Sequence, residues 1–346
     1  MSISCSQFGF SMFGKDVKLY TITNVNGMSV SVTNLGACLV SAVVPMKDGT
    51  KRDVILGYDS GEGYMTNGSF FGAIVGRSAN RIANASFKID GVEYKLCVND
   101  NQNNLHSDFN KGFHKVLWDV KADEDSVEFS YNSPDMENGF PGNFKVTVTY
   151  SLSDSNELKI DYNGVSDKKT TINMTNHAYF NLKGHESGCI ENTILWLNAS
   201  HYTPVVAGAI PTGEIASVKG TVMDFTVAKT IGQDINADEE QLKLVKGYDH
   251  NFVVDDYDGT LKKIAQADVD DLTMEVMSDL PGVQFYAGNC IGACEGKGGA
   301  VYGPRKGFCL ETQYYPNSIN QEGFIKPIFD AGQEYKTTTV YRFTVK

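Results

Sequence analysis

The sequence predicts an all-β fold, a large antiparallel β-sandwich with few short helices, on three observations. Asx-Gly pairs recur between β-rich runs, apolar residues alternate with polar ones along much of the chain, and helical periodicity is scarce. A chain of many strands and scarcely a helix must bury its apolar faces sheet on sheet, as a sandwich or a barrel.

The turns come first. Asn26-Gly27, Asp48-Gly49, Asp90-Gly91 and Asp258-Gly259 each lie between strand-like runs, and each is expected to close a tight hairpin because both residues tolerate positive φ. Between them SVSVTNLG, SFKIDGVEYKL, SVEFSYNS, FKVTVTYSLS, ELKIDYNGVS and TMEVMSD alternate with a period near two, as half-buried strands do. One helix is expected, from Asp238 to Lys246: Asp238, Glu239 and Glu240 put negative charge on its first turn, Lys243 and Lys246 fall near its last, and Gly247 stops it. The nine prolines are dispersed and no linker divides the strands, so a single domain over 1–346 is preferred to two sandwiches cut near residue 165.

Composition excludes several functions. A net charge of −12, with 30 scattered Lys and Arg residues, repels phosphate backbones and makes nucleic acid an unsuitable partner. No segment approaches the roughly 20 consecutive apolar residues of a membrane span, and the first residues lack a basic stretch followed by a long apolar one. A cytoplasmic protein is expected, with the sequons at Asn67, Asn84, Asn173 and Asn198 as chance matches. The seven cysteines are an odd number without zinc-like spacing, and are read as reduced thiols that mostly pack.

Motifs that look chemical fail on inspection. Gly292 to Lys297 imitates a phosphate loop but is one residue short and lacks the hydroxyl residue after the lysine, so it reads as a solvated loop. Gly296 to Gly299 lacks the strand and helix that present a dinucleotide. The acidic runs Asp123-Glu124-Asp125 and Asp255-Asp256 read as solvent-facing. What remains is a set of polar residues where strands would prefer others: Asn80 and Arg81 in GRSANRIA, His106 in NNLHSDF, His177 in TNHAYFNL, Asp249 in KGYDHNF, Gln284 in PGVQFYAGN and Glu311 in FCLETQYYPNSIN. Taken singly, a strand histidine is more often a packing residue. Glu311 fits that reading least, since a carboxylate in an apolar run is costly to bury without partners or a job. His114 and His185 read as loop residues, and His201 and His250 show no partner.

These segments, in this order, together with NLGACLVSAVVPMKDG and DVILGYDSGEGYM near the start, resemble the aldose 1-epimerase (galactose mutarotase) family over most of the chain. The resemblance implies a galactose mutarotase-like β-sandwich that interconverts the α and β anomers of a free hexose such as galactose or glucose, with no cofactor and no metal. By motif position it implies Glu311 as general base, His177 as general acid and His106 as a second histidine at the ring oxygen, with Asn80, Arg81, Asp249 and Gln284 holding the sugar. One departure stands out: the family usually follows its first histidine with Gly-Gly, whereas here Ser107 and Asp108 follow His106.

The residue types suit the chemistry. Anomers interconvert when the C1 hydroxyl loses a proton while the ring oxygen gains one, the ring opens, the C1–C2 bond rotates and closure reverses the transfers. A carboxylate and an imidazole exchange protons near neutrality. His177 is expected to be kept partly protonated by nearby carboxylate charge, on the opposite side of the sugar from Glu311. Two rivals are a two-histidine, one-carboxylate iron site made of His106, His177 and Glu311, and a sugar-binding protein without turnover. A hexose-phosphate mutarotase is disfavoured by the lack of a basic cluster near these motifs. A monomer and a homodimer fit the sequence equally.

Overall fold

In the computed structural model, which describes residues 1–346, the chain forms three large antiparallel sheets that share one core, together with six two-stranded ribbons. The first is made in chain order from Ser2–Met12, Lys15–Thr23, Ser29–Thr33, Leu39–Pro45 and Lys51–Asp53. Asn26-Gly27 and Asp48-Gly49 turn two of its hairpins, as expected, and Asp90-Gly91 closes a separate ribbon of Ser86–Ile89 with Val92–Lys95. Asp90 and Gly91 have φ of 51° and 81°, the double positive φ of a type I′ turn. Asp258-Gly259 departs from expectation. The strand before it, Asp249–Val253, and the strand after it, Lys262–Asp268, belong to different sheets, so this turn carries the chain from one layer to another.

The second sheet has nine strands. Ser126–Ser133, Phe144–Leu152 and Glu157–Ser166 lie on one side of the C-terminal strand Glu334–Val345, and Leu272–Ser278 and Lys262–Asp268 on the other. Alternate residues of these strands are buried, as their period of two requires. The third sheet, in the order Ala216–Ser217, His201–Tyr202, Asp249–Val253, Gly282–Tyr286 and Cys309–Gln313, carries the functional residues. A continuous cluster of 59 buried residues draws side chains from all three sheets, among them Val30, Phe129, Val148, Phe285 and Leu310.

Only two α-helices occur. Glu240–Val245 is the expected one, shortened at both ends: Lys246 leaves the helix with φ of 63°, and the Gly247 N–H closes it on the Leu242 carbonyl at 2.8 Å. Gly61–Thr66 was not foreseen, because its Gly-Glu-Gly start carries no helical period. Three smaller expectations need correction. Four cysteines, Cys5, Cys97, Cys189 and Cys290, are exposed, Cys294 is half-buried, and Cys38 and Cys309 are buried packing thiols. The loop ending at Lys297 is not solvated there, since the Lys297 ammonium is buried against the Val40 carbonyl at 2.7 Å and the Asp53 carboxylate at 2.6 Å. Asp255 does not simply face solvent; it accepts hydrogen bonds from the Ser200 N–H and hydroxyl.

We propose that the chain is one folding unit. The C-terminal strand pairs with Glu157–Ser166 along one edge and Leu272–Ser278 along the other, so a cut near residue 165 would split a sheet at its seam. Calorimetry and near-ultraviolet dichroism are then expected to report one coincident unfolding transition; two separated transitions would restore the two-domain reading.

Candidate active site

Strand geometry aims the functional side chains. Within Cys309–Gln313, Leu310 and Thr312 face the nine-stranded sheet: the Leu310 carbonyl accepts the Tyr341 hydroxyl at 3.4 Å, and the Thr312 and Thr339 hydroxyls meet at 2.6 Å. Alternation therefore turns Cys309 and Glu311 to the opposite face. The register extends this face sideways, setting Asn251 opposite Gln284 and Gln284 opposite Glu311, with Asp249, Tyr286 and Cys309 in the neighbouring row. A second set of strands roofs it. His177 ends Thr175–His177, which pairs with Ala73–Val75, and His106 follows Asn104–Leu105, which pairs with Arg81–Ile82.

Six of the seven residues singled out in the sequence, Asn80, Arg81, His106, His177, Asp249 and Glu311, line one cavity of about 210 Å³. At about 30 Å³ per water, that is room for one small ring. Gln284 lies outside the lining. Its side-chain amide donates to Asp249 Oδ1 at 2.7 Å, so it orients a wall residue from behind. Phe70, Tyr179 and Tyr286 are among the other wall residues; aromatic residues in a β-rich chain look like ordinary core, and nothing in the sequence separated them from it.

Glu311 Oε1 stands 3.7 Å from His177 Nε2, with the two side chains 3% and 6% exposed. The imidazole of His106 meets that of His177 edge-on, ring centres 5.3 Å apart. Tyr179 stacks on His177 at 5.0 Å, and Phe70 packs against His106 at 4.8 Å and His114 at 4.4 Å. His114 is thus no loose loop residue. It is buried behind Phe70, with Nε2 3.1 Å from the Phe109 carbonyl oxygen.

This packing sets the protonation states. Burial raises the Glu311 carboxyl well above the ordinary range; Asp249 adds to the rise and the Arg81 guanidinium opposes it. Asp249 is raised by the same desolvation. Burial lowers His177 to about 4 and His106 well below its usual value, the latter with help from His177 and Arg81. The expectation that carboxylate charge keeps His177 protonated is therefore corrected: stacking between aromatic rings removes water, and desolvation of the cation prevails.

The loop around His106 explains the departure at Ser107 and Asp108. His106 and Ser107 both have positive φ, 54° and 65°, a conformation costing an L-residue roughly 1 kcal/mol or more. The Ser107 hydroxyl accepts from the Ser78 N–H and donates to the Ser78 carbonyl, both at 3.0 Å, and Asp108 accepts the N–H groups of Asn110 and Lys111. Side-chain bonds here hold the turn for which glycine would otherwise supply conformational freedom. The result clasps His106 to Asn80: the His106 N–H donates to the Asn80 carbonyl at 3.0 Å, and the Asn80 N–H donates to His106 Nδ1 at 3.2 Å.

That last bond bears on the metal rival. One ligand atom from each of His106, His177 and Glu311 can be chosen so that all lie within 4.8 Å of one another. Because Nδ1 of His106 accepts a backbone N–H, its ring proton sits on Nε2, which faces the cavity as a donor rather than a lone pair. A metal at Nε2 would force that proton onto Nδ1, against the Asn80 N–H. The donor set has the composition of an iron site and the wrong tautomer.

Residues 18–342 match the family model described as aldose 1-epimerase. The chain belongs to the aldose 1-epimerase family. It is 42% identical over 323 residues to galactose mutarotase of Bos taurus and 40% identical to that of Homo sapiens, in each case covering 92% of both chains. Aldose 1-epimerase of Escherichia coli K12 is 39% identical over 337 residues, covering 95% of this chain and 96% of the relative. The crystal structure of galactose 1-epimerase from Lactobacillus acidophilus superposes with a TM-score of 0.86 at 30% identity, covering 99% of each chain. Membership supports the mutarotase-like fold and an isomerase class of enzyme. No helix of the structure is long and apolar enough to cross a membrane.

The buried groups make stability depend on pH in a defined way. For His177, His114 and His250, lowered to about 4, 3 and 3, the unfolded chain takes up protons near pH 6.5 while the folded chain resists; their contribution is present above that pH and is lost as pH falls toward 3. Glu311 runs the other way, its raised pKa costing stability as pH rises through it. Glu311→Gln is therefore expected to melt higher than the parent at pH 8 by a few degrees, on the order of 1 kcal/mol, and to lose that advantage near pH 4.5. Equal shifts at both pH values would show that the carboxylate is not strained by burial.

Proposed function

We propose that the protein catalyses mutarotation of free hexoses such as galactose and glucose, with Glu311 and His177 exchanging the two protons. The 3.7 Å separation of Glu311 and His177 carries this reading. O1 and the ring oxygen of a pyranose are bonded to the same carbon, so a base for one and an acid for the other must stand close together. Neighbouring positions replace the opposite sides expected from chemistry alone.

The pair works with one proton between its members. Glu311, ionised, takes the O1 proton, and His177, as imidazolium, gives its proton to the ring oxygen as the C1–O5 bond breaks; rotation about C1–C2 and reversal complete the cycle. Carboxylate with imidazolium holds the same number of protons as carboxylic acid with neutral imidazole; burial makes the second the resting distribution, with the Arg81 charge opposing it, and the reaction draws on the first. His106, presenting Nε2–H to the cavity, donates a hydrogen bond to the ring oxygen or a neighbouring hydroxyl. Asp249, held by Gln284, and Arg81, held through Nε by Asp100 at 2.7 Å, fix the hydroxyls that set the ring's position.

The same lining favours an uncharged sugar over a sugar phosphate. Two carboxylates, Asp249 and Glu311, face the cavity, and Arg81 is its only Lys or Arg, already paired with Asp100. We place the protein in the cytoplasm, acting as a monomer or homodimer.

In a polarimeter, fresh α-D-galactose and α-D-glucose are expected to relax faster with protein than without. Glu311→Gln and His177→Asn are each expected to cut turnover by about 10² to 10⁴ fold with the fold intact; rates within a few fold of the parent would refute the assignment. The rate profile against pH is expected to be bell-shaped, its limbs belonging to the Glu311–His177 pair as a unit. Loss of the alkaline limb in His177→Asn checks this.

A further inference from the structure

Behind His177, on the side away from Glu311, lies Cys309. Its Sγ is 3.4 Å from His177 Nδ1, and both residues are buried. The contact follows from register: Cys309 and Glu311 are two apart on one strand and so share its face, presenting a thiol and a carboxylate to the two nitrogens of a single ring. Leu56, Phe71, Tyr179, Ile291 and Tyr302 pack around the thiol. Tyr179 stacks on the imidazole at 5.0 Å with 22° between planes, so one face of the ring is covered and its plane is set.

We infer that Cys309 is a positioning residue for His177, its thiol holding the imidazole with Nδ1 as acceptor and Nε2–H aimed at the cavity, and following the ring through both protonation states. This rests on the mutarotase reading for its catalytic consequence, though not for the tautomer. A catalytic histidine is commonly oriented from behind by a carboxylate or a carbonyl, both of which only accept hydrogen bonds from it. A thiol does either. Toward neutral His177 the S–H donates to Nδ1; when Nε2 and Nδ1 both carry protons, the thiol rotates and sulfur accepts from Nδ1–H. Cys309 serves as donor because it keeps its proton, desolvation holding the thiol well above its ordinary pKa with the Glu311 and Asp249 charges adding to the effect. A weak partner also leaves the imidazolium a ready proton donor, whereas a carboxylate in this place would bind the proton tightly.

The groups facing His177 are few: Cys309 at Nδ1, Glu311 at Nε2, the edge of His106, and the rings of Phe70, Tyr179 and Tyr286. The ring also meets its own backbone carbonyl, a contact that substitution of residue 309 leaves in place, so the change tests the part played by the thiol. Two variants separate orientation from packing. Cys309→Ser retains a group that both donates and accepts; Cys309→Ala removes the side-chain partner of Nδ1.

The test is long-range ¹H–¹⁵N correlation of the histidine ring nitrogens at pH 7.5, with polarimetric kinetics and pH profiles on the same proteins. The parent and Cys309→Ser are expected to show His177 as the Nε2–H tautomer. Cys309→Ala is expected to show a mixture, with kcat reduced by about tenfold, KM within about twofold of the parent and a displaced alkaline limb. An Nδ1–H tautomer in the parent, or a Cys309→Ala protein with parental tautomer, kcat and pH profile, would overturn the inference. Should the tautomer follow residue 309 while the parent shows no catalysis of anomer exchange, the positioning stands and the mutarotase reading falls.

Discussion

Glu311 and His177 are two groups that water would prefer to solvate, and the fold shuts both away from it, 3.7 Å apart, in the wall of one cavity. Everything else about the site follows from holding them there. Desolvation moves the carboxyl up and the imidazole down to about 4, which inverts the order of proton affinity that groups with ordinary pKa values near 4.3 and 6.5 have in water. The one proton of the pair then rests on the carboxyl. An exposed pair at the same distance would keep the ordinary order, since water would hold each near its ordinary value.

A packed antiparallel architecture is suited to the task. The strand carrying Glu311 is fully buried, backed by the nine-stranded sheet through Leu310 and Thr312, so the carboxylate projects from a rigid surface. The register of the third sheet sets Gln284 beside it and Asp249 in the next row. His177 and His106 come from separate short ribbons that roof the same face. Positions far apart in sequence thus meet because three layers share one core, and loosening that core by large-to-small substitution would disturb the site before it disturbed the fold.

Much of this was legible in the sequence, and the boundary of legibility has physical causes. Alternation and Asn26-Gly27, Asp48-Gly49 and Asp90-Gly91 marked strands and hairpins correctly, because local chemistry decides both. Asp258-Gly259 has the same local chemistry, yet it joins two sheets, and which sheet a strand enters is decided by distant partners. Glu311 stood out as a charge in an apolar run. Cys309, Tyr179 and Phe70 did not, since a thiol and aromatic rings in a β-rich chain have every reason to be core, and only their contacts with imidazole nitrogens and ring faces distinguish them. Protonation states were the least legible: proximity of a carboxylate suggested a charged His177, while the depth of burial, a property of the assembled layers, reversed the sign.

Family resemblance and physical reading meet at Ser107. Where glycines are usual, this chain has a serine whose hydroxyl bonds both polar groups of the Ser78 backbone unit, and His106 keeps its hold on the Asn80 N–H. This loop chemistry enforces the His106 tautomer that is a donor to the cavity. The central claim, that Glu311 and His177 attend the two oxygens of one anomeric carbon, is tested most directly by a crystal structure with galactose bound. The account predicts O1 within hydrogen-bond distance of a Glu311 oxygen and the ring oxygen within reach of His177 Nε2; a sugar seated with C1 turned away from both residues would contradict it.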